Sequence, residues 1–213
     1  MDSQKKEYLV AAVFALMAGI TVYGFLNIQG DIAVHFNASG QPNNTMSKFS
    51  GLMILPVISI AVYLLIMYLT SIDPLKENVE NFRPSLKGLA IFITGFLTYI
   101  QGMIVFWNLG YSFNVSAAIT PGIAVMFYAM GVLCDRAERN WFIGVRTPWT
   151  LSSDEVWRKT HRKAAPLFKL SGLIALGGLV FPQYLLAFVL IPVIAVSIYA
   201  TVYSFKAYRD LEK

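Results

Sequence analysis

Long apolar runs alternate with short polar stretches along most of this chain. Six runs reach or approach the roughly 20 largely apolar residues that a membrane-crossing helix needs. They are residues 8–26, 51–72, 88–109, 115–134, 167–181 and 183–205. The first four have comfortable length and no charged residue. The fifth has only 15 residues between Pro166 and Pro182 and contains Lys169. It spans only by borrowing flanking residues, by letting Lys169 snorkel, or by thinning the bilayer. Pro56 in the second run and Pro192 in the sixth predict kinks. In the first run Ala11, Ala15 and Gly19 recur every four residues, a spacing that suits close helix packing. That run follows a basic start, as a signal peptide does. Its apolar stretch is long, however, and no small-x-small cleavage site follows, so it reads as a retained anchor.

Composition agrees with the membrane class. The chain is 56% hydrophobic and 14% charged, with mean hydropathy +0.58; a soluble domain carries roughly 25% charged residues. The formal charge of +5 is no argument for direct nucleic-acid contact, because membrane proteins place Lys and Arg for topological reasons. The one cysteine, Cys134, excludes an intramolecular disulfide and a Cys-based metal site, and it reads as a small buried hydrophobe.

Lys and Arg fall on alternate loops. The N-terminus has Lys5 and Lys6, and the loop after the second run has Lys76, Arg83 and Lys87. The loop after the fourth has Arg136, Arg139, Arg146, Arg158, Lys159, Arg162 and Lys163, and the tail has Lys206, Arg209 and Lys213. The other loops hold only Lys48. The positive-inside rule then puts both termini in the cytoplasm. The expectation is an all-α integral membrane protein of the cell membrane, with six transmembrane helices, both termini cytoplasmic and one amphipathic cytoplasmic helix. Residues 1–72 form a two-helix module with an outer loop. Residues 73–213 form a four-helix region with a loop at 135–166.

That loop carries the densest chemistry. Residues 140–165 hold three of the four tryptophans and a cluster of Arg and Lys, a composition suited to a membrane–water boundary. Ser152 and Glu155 read as a capping box, with a helix starting near Ser153. Asp154–Arg158 and Glu155–Lys159 are i,i+4 pairs in the favourable order. At helical spacing Val156, Trp157, Thr160, His161 and Ala164 share one face, and Arg158, Lys159, Arg162 and Lys163 the opposite one. The basic face is either a topological anchor or a docking surface for a protein or an anionic headgroup of the membrane lipids. Upstream, Pro148 keeps Thr147 extended. Arg146, between Trp141 and Trp149, could stack on an indole, hold a phosphate or carboxylate, or clamp the backbone.

On the other side, residues 27–50 form an outward loop punctuated by Gly30, Gly40 and Pro42, with a short extended piece over Asp31–Phe36. His35 could be a metal ligand or pH-sensitive, but a lone His is more often a hydrogen-bonded structural residue. Asn37, Asn43 and Asn114 begin glycosylation patterns. No Asp, Glu, Arg or His falls in the middle of a run, whereas ion-coupled transporters keep such residues there. No nucleophile-elbow, zinc-protease or P-loop motif appears. No enzyme activity, metal or cofactor is expected.

The run NWFIGVRTPWTLSSDEVWRKTHR resembles the signature of the SdpI family of small integral membrane proteins. The matching residues are Asn140, Trp141, Gly144, Arg146, Thr147, Pro148, Trp149, Thr150, Trp157 and His161. The outer loop is similar to a module often found at the N-terminus of that family, at His35, Phe36, Asn37, Gly40 and Pro42. It departs from that module in having Gly30 where a proline usually precedes the His, and Asn43 where an acidic residue usually follows. The resemblance implies immunity against a secreted peptide toxin that collapses the membrane potential. It also implies signalling, by sequestering a transcriptional repressor at the membrane. The alternatives are a transporter or lipid-handling protein that binds an anionic ligand near Arg146, and a purely structural membrane protein.

Overall fold

The computed structural model describes residues 3–37 and 39–211. Lys213 of the basic tail and Ala38 of the first glycosylation pattern lie outside them. Helix α1 (Ser3–Asn27) leads into an antiparallel hairpin of β1 (Ile32–Phe36) and β2 (Pro42–Met46). Then come α2 (Lys48–Ser71), α3 (Lys76–Asn108), α4 (Val115–Arg136), the short α5 (Pro148–Ser152), α6 (Asp154–Ala175), α7 (Gly177–Val180), a 3-10 turn and α8 (Leu185–Arg209). Among the described residues six helical segments are long and apolar enough to cross a membrane: α1, α2, α3, α4, α6 with α7, and the 3-10 turn with α8. Their outward faces leave Leu64, Leu65, Leu186 and Ile191 exposed, as lipid-facing helices require. This is a multi-pass membrane protein.

Two helix boundaries differ from those expected. Residues 76–87 are not a loop, because α3 begins at Lys76 and continues through Pro84. Its 33 residues make a rod of about 50 Å at 1.5 Å per residue, against a hydrocarbon core of about 30 Å. It therefore projects beyond the membrane at one end. The short fifth run is the second half of a longer helix. Helix α6 starts at Asp154, passes through Pro166, and after a break at Leu176 gives way to α7. Lys169 leans toward Asp135 of α4, at 3.6 Å.

Helices α1 and α2 pack on α3, while α4, α6 and α8 pack together, and α3 also meets α4. Helices α4 and α6 meet at glycines. A Cβ at Gly131 would lie 2.6 Å from the Ala165 carbonyl oxygen, and one at Gly172 would lie 2.5 Å from that of Ala124. Small residues let membrane helices meet backbone to backbone. The expected stripe on α1 is not used this way, since Ala11, Ala15 and Gly19 are exposed and Met17 and Thr21 are buried instead.

One polar side chain joins the first three helices. The Leu52 carbonyl would normally accept from residue 56, but Pro56 has no N–H. Gln101 of α3 donates from Nε2 to that carbonyl at 2.9 Å and to Thr21 Oγ1 at 3.1 Å. Thr21 donates onward to the Met17 carbonyl. An orphaned acceptor inside the membrane is thereby satisfied.

The hairpin caps one end of the bundle. The Asn108 amide pairs with both the N–H and the C=O of Ala33, at 2.8 and 2.9 Å. Ser116 donates to the Asn37 carbonyl. Lys48 points its ammonium at the Phe25 and Ile28 carbonyls, the free acceptors at the C-terminus of α1. At the opposite end Lys6 reaches the Pro84 carbonyl and Lys87 pairs with Glu7. The start of α1, the α2–α3 turn, residues 137–153 and the end of α8 thus share one end, which is the basic end.

Candidate functional site

Residues 137–161 fold into a small unit on the projecting part of α3. Asn140 is fully buried and ties the first turn. Its Nδ2 donates to the Glu138 and Ile143 carbonyls, and its Oδ1 accepts from the N–H groups of Phe142 and Ile143 at 3.0 and 2.6 Å. Buried Asp73 reaches in from the α2–α3 turn. Its carboxylate accepts from Trp141 N–H at 2.9 Å and from Leu75 N–H at 2.8 Å. Asn78 and Asn81 of α3 hold the Arg139 carbonyl and the Glu138 carboxylate. Trp157 is 2% exposed and packs against Val79, Phe82, Leu86 and Leu133. Its indole N–H donates to the Ala137 carbonyl at 2.8 Å.

His161 stacks on Trp157 with ring centroids 4.0 Å apart. Val145 N–H donates to its Nε2 at 3.0 Å, and its Nδ1 meets the Trp157 carbonyl at 2.9 Å. An Nε2 that accepts carries no proton, so the neutral tautomer has N–H at Nδ1. Gly144 makes this approach possible. Its φ is +108°, and a Cβ there would sit 2.5 Å from His161 Nε2. Only glycine combines that conformation with that contact.

The following residues form a hydroxyl chain. Thr147 caps α5 with a reciprocal Thr147–Thr150 capping box and Pro148 at the helix start. Thr150 gives its proton to the Val145 carbonyl at 2.8 Å and accepts from Thr147 N–H. Ser204 of α8 gives its proton to the Thr201 carbonyl at 2.7 Å, so Thr147 is the donor to Ser204 at 2.9 Å.

Two local expectations are corrected here. The capping box lies at Thr147–Thr150, not Ser152–Glu155, and α6 is capped by Ser153 accepting from Val156 N–H. Asp154 pairs with Arg139 at 2.5 Å, not with Arg158, because the preceding turn brings Arg139 across the start of α6. Arg139 also donates to the Leu151 carbonyl. The apolar face of α6 packs inward, with Val156, Trp157, Ala164, Ala165 and Phe168 buried within the protein. The opposite face is open. Arg158, Lys159, Arg162 and Lys163 are exposed, and Lys159 pairs with Glu155 at 2.7 Å.

Arg146 is exposed and donates to the Trp141 carbonyl at 3.0 Å. Trp149 turns to Phe205 of α8. The signature therefore divides in two. Asn140, Gly144, Thr147, Thr150, Trp157 and His161 build the unit, while Trp141 and Arg146 are displayed on it. Sequence reasoning missed Asp73, Asn78 and Ser204, whose partners lie about 60 residues away and leave no local signal.

At the hairpin end, His35 Nδ1 meets Asn43 Oδ1 at 2.6 Å, a structural bond. Asn37 Oδ1 accepts from Ser39 and Gln41 N–H, Gly40 lies against Asn114, and Pro42 opens β2 opposite Phe36. A largely apolar cavity of about 470 Å³ lies beneath β1, between α3 and α4. Among the described residues no three His, Cys, Asp or Glu side chains are grouped to hold a metal.

Comparison with known proteins places the same segment. Residues 136–204 match the SdpI/YfhL protein family, and residues 11–60 match a domain of unknown function, DUF1648. Over 204 residues the chain is 23% identical to Immunity protein SdpI of Bacillus subtilis (strain 168), covering 95% of each chain. No solved structure matches. The family resemblance carried by residues 140–161 is thus matched by the whole region around them.

Proposed function

We propose that this protein is a cell-membrane immunity and signalling protein. It protects against a secreted peptide toxin, and it sequesters a transcriptional repressor at the cytoplasmic face. The observation that carries this reading is the near end-to-end similarity to an immunity protein, together with the SdpI/YfhL match over the folded unit and the helices beneath it. In this reading the basic end faces the cytoplasm, which its Lys and Arg excess supports, and the hairpin faces out. The N-terminal module, residues 1–72, presents His35, Asn37 and Pro42 to the outside, with Gly40 buried against Asn114 to shape the turn. The region 73–213 presents Trp141, Arg146 and the basic face of α6 to a cytoplasmic partner.

The test is expression in a toxin-sensitive strain challenged with the secreted toxin peptide, with membrane potential followed by a voltage-sensitive dye. Cells carrying the protein should keep their potential. Collapse as fast as in cells with an empty vector would refute the immunity reading.

A further inference from the structure

A cleft of about 520 Å³ opens at the basic end between the last turn of α4 and the first turns of α6. Four arginines and three carboxylates line it, beside buried Trp157 and His161. Each carboxylate is already engaged. Lys169 holds Asp135 at 3.6 Å, Asn81 holds Glu138 at 2.9 Å, and Arg139 holds Asp154 at 2.5 Å. The arginines are not balanced in return. Arg136 makes one bond, to Ser85 Oγ at 3.1 Å. Arg158 lies in the field of Glu155, whose carboxylate is bonded to Lys159, and neither Arg158 nor Arg162 makes a hydrogen bond or close ion pair among the described residues. They stand at i and i+4, with Cβ atoms about 5–6 Å apart. Two adjacent guanidinium groups beside a third suit a phosphate, which they bind through paired N–H donors.

A second groove, of about 370 Å³, runs from Arg136 along the α3–α4 seam past Gly88, Leu89, Phe92 and Val132. It is largely apolar, with Arg136 and Ser85 at one end and Tyr128 also lining it. Helix α4 has 22 residues, which is about 33 Å at 1.5 Å per residue, so Arg136 stands at headgroup depth. We propose that the cleft binds the headgroup of an anionic phospholipid. Arg158 and Arg162 hold the phosphate, Arg136 stands where cleft and groove meet, and one acyl chain lies in the α3–α4 groove.

The full-length protein in neutral detergent tests this by titration with short-chain phosphatidylglycerol, short-chain phosphatidylcholine and inorganic phosphate, followed by native mass spectrometry and tryptophan fluorescence. Phosphatidylglycerol should bind saturably and more tightly than the other two. Arg158→Gln with Arg162→Gln should weaken it roughly 30-fold, the effect of two cations near an anionic headgroup. Lys163→Gln, on the same helix but outside the cleft, should leave it unchanged. Gly88→Leu fills the groove from a position where a Cβ meets nothing within 4 Å. It should weaken phosphatidylglycerol and leave phosphate unchanged. Equal loss in Lys163→Gln would show diffuse charge attraction and overturn the site. Phosphate binding as tightly as phosphatidylglycerol would overturn the lipid assignment, as would full binding by either the double arginine variant or Gly88→Leu.

Discussion

Gly144→Ala is the sharpest test of the folded unit. The substitution acts twice. It forces a non-glycine residue to φ +108°, at a cost of about 1–3 kcal/mol for a sparsely populated backbone region. It also places a methyl 2.5 Å from His161 Nε2 and 3.3 Å from the Trp157 ring. The imidazole must then yield its bond with Val145 N–H, leaving buried polar groups unpaired for about 1–3 kcal/mol more. The sum is roughly 2–6 kcal/mol, or a fall of about 4–24 °C in unfolding midpoint for a chain of this size. Thermal unfolding in detergent reads this directly. The control is Gly19→Ala, where a Cβ meets nothing within 4 Å inside α1. Helix propensity makes that change neutral or stabilising by up to about 1 kcal/mol. If the two variants unfold at the same temperature, the glycine argument is wrong.

Three further outcomes follow from the geometry. Gln101→Leu should destabilise by roughly 1–2 kcal/mol, and less so in a Pro56→Ala background, where Leu52 regains a backbone donor; strictly additive losses in the double-mutant cycle would contradict the pairing. Thr147→Val keeps shape but removes the bonds to Ser204 and Thr150 N–H, and should cost about 1–3 kcal/mol; an unchanged unfolding midpoint would show that the hydroxyl chain contributes nothing. Arg146→Lys can keep the single bond to the Trp141 carbonyl, so stability should hold within about 0.5 kcal/mol while toxin protection falls nearly as far as in Arg146→Ala. Wild-type survival of Arg146→Lys in the toxin assay would reduce this residue to a cytoplasmic charge.

Periodicity and the run lengths located all six spans, because a bilayer demands one property over about 20 residues. Helical phasing likewise separated the buried Trp157 and His161 from the exposed Arg158 and Arg162. Helix ends were harder. Polar residues 76–87 looked like a loop because the outer part of α3 earns its helicity from packing of Val79, Phe82 and Leu86 under Trp157, a contact between distant segments. The capping residue of α6 was displaced by one position because Thr147 and Thr150 had already formed a short helix before it. Arg146 shows the same limit at side-chain level, since nothing in its spacing identifies the Trp141 carbonyl as its acceptor.

Helix α3 also acts as a lever. Asn108 grips the hairpin at one end, and Asn78 grips the folded unit at the other. These grips are 30 residues apart, about 45 Å along a rigid helix. A tilt of about 10° around the middle of that rod moves each grip by about 4 Å in opposite directions, more than a hydrogen bond tolerates. The hairpin and the basic end are therefore mechanically geared. A tilt of α3 at one grip must therefore be accommodated at the other.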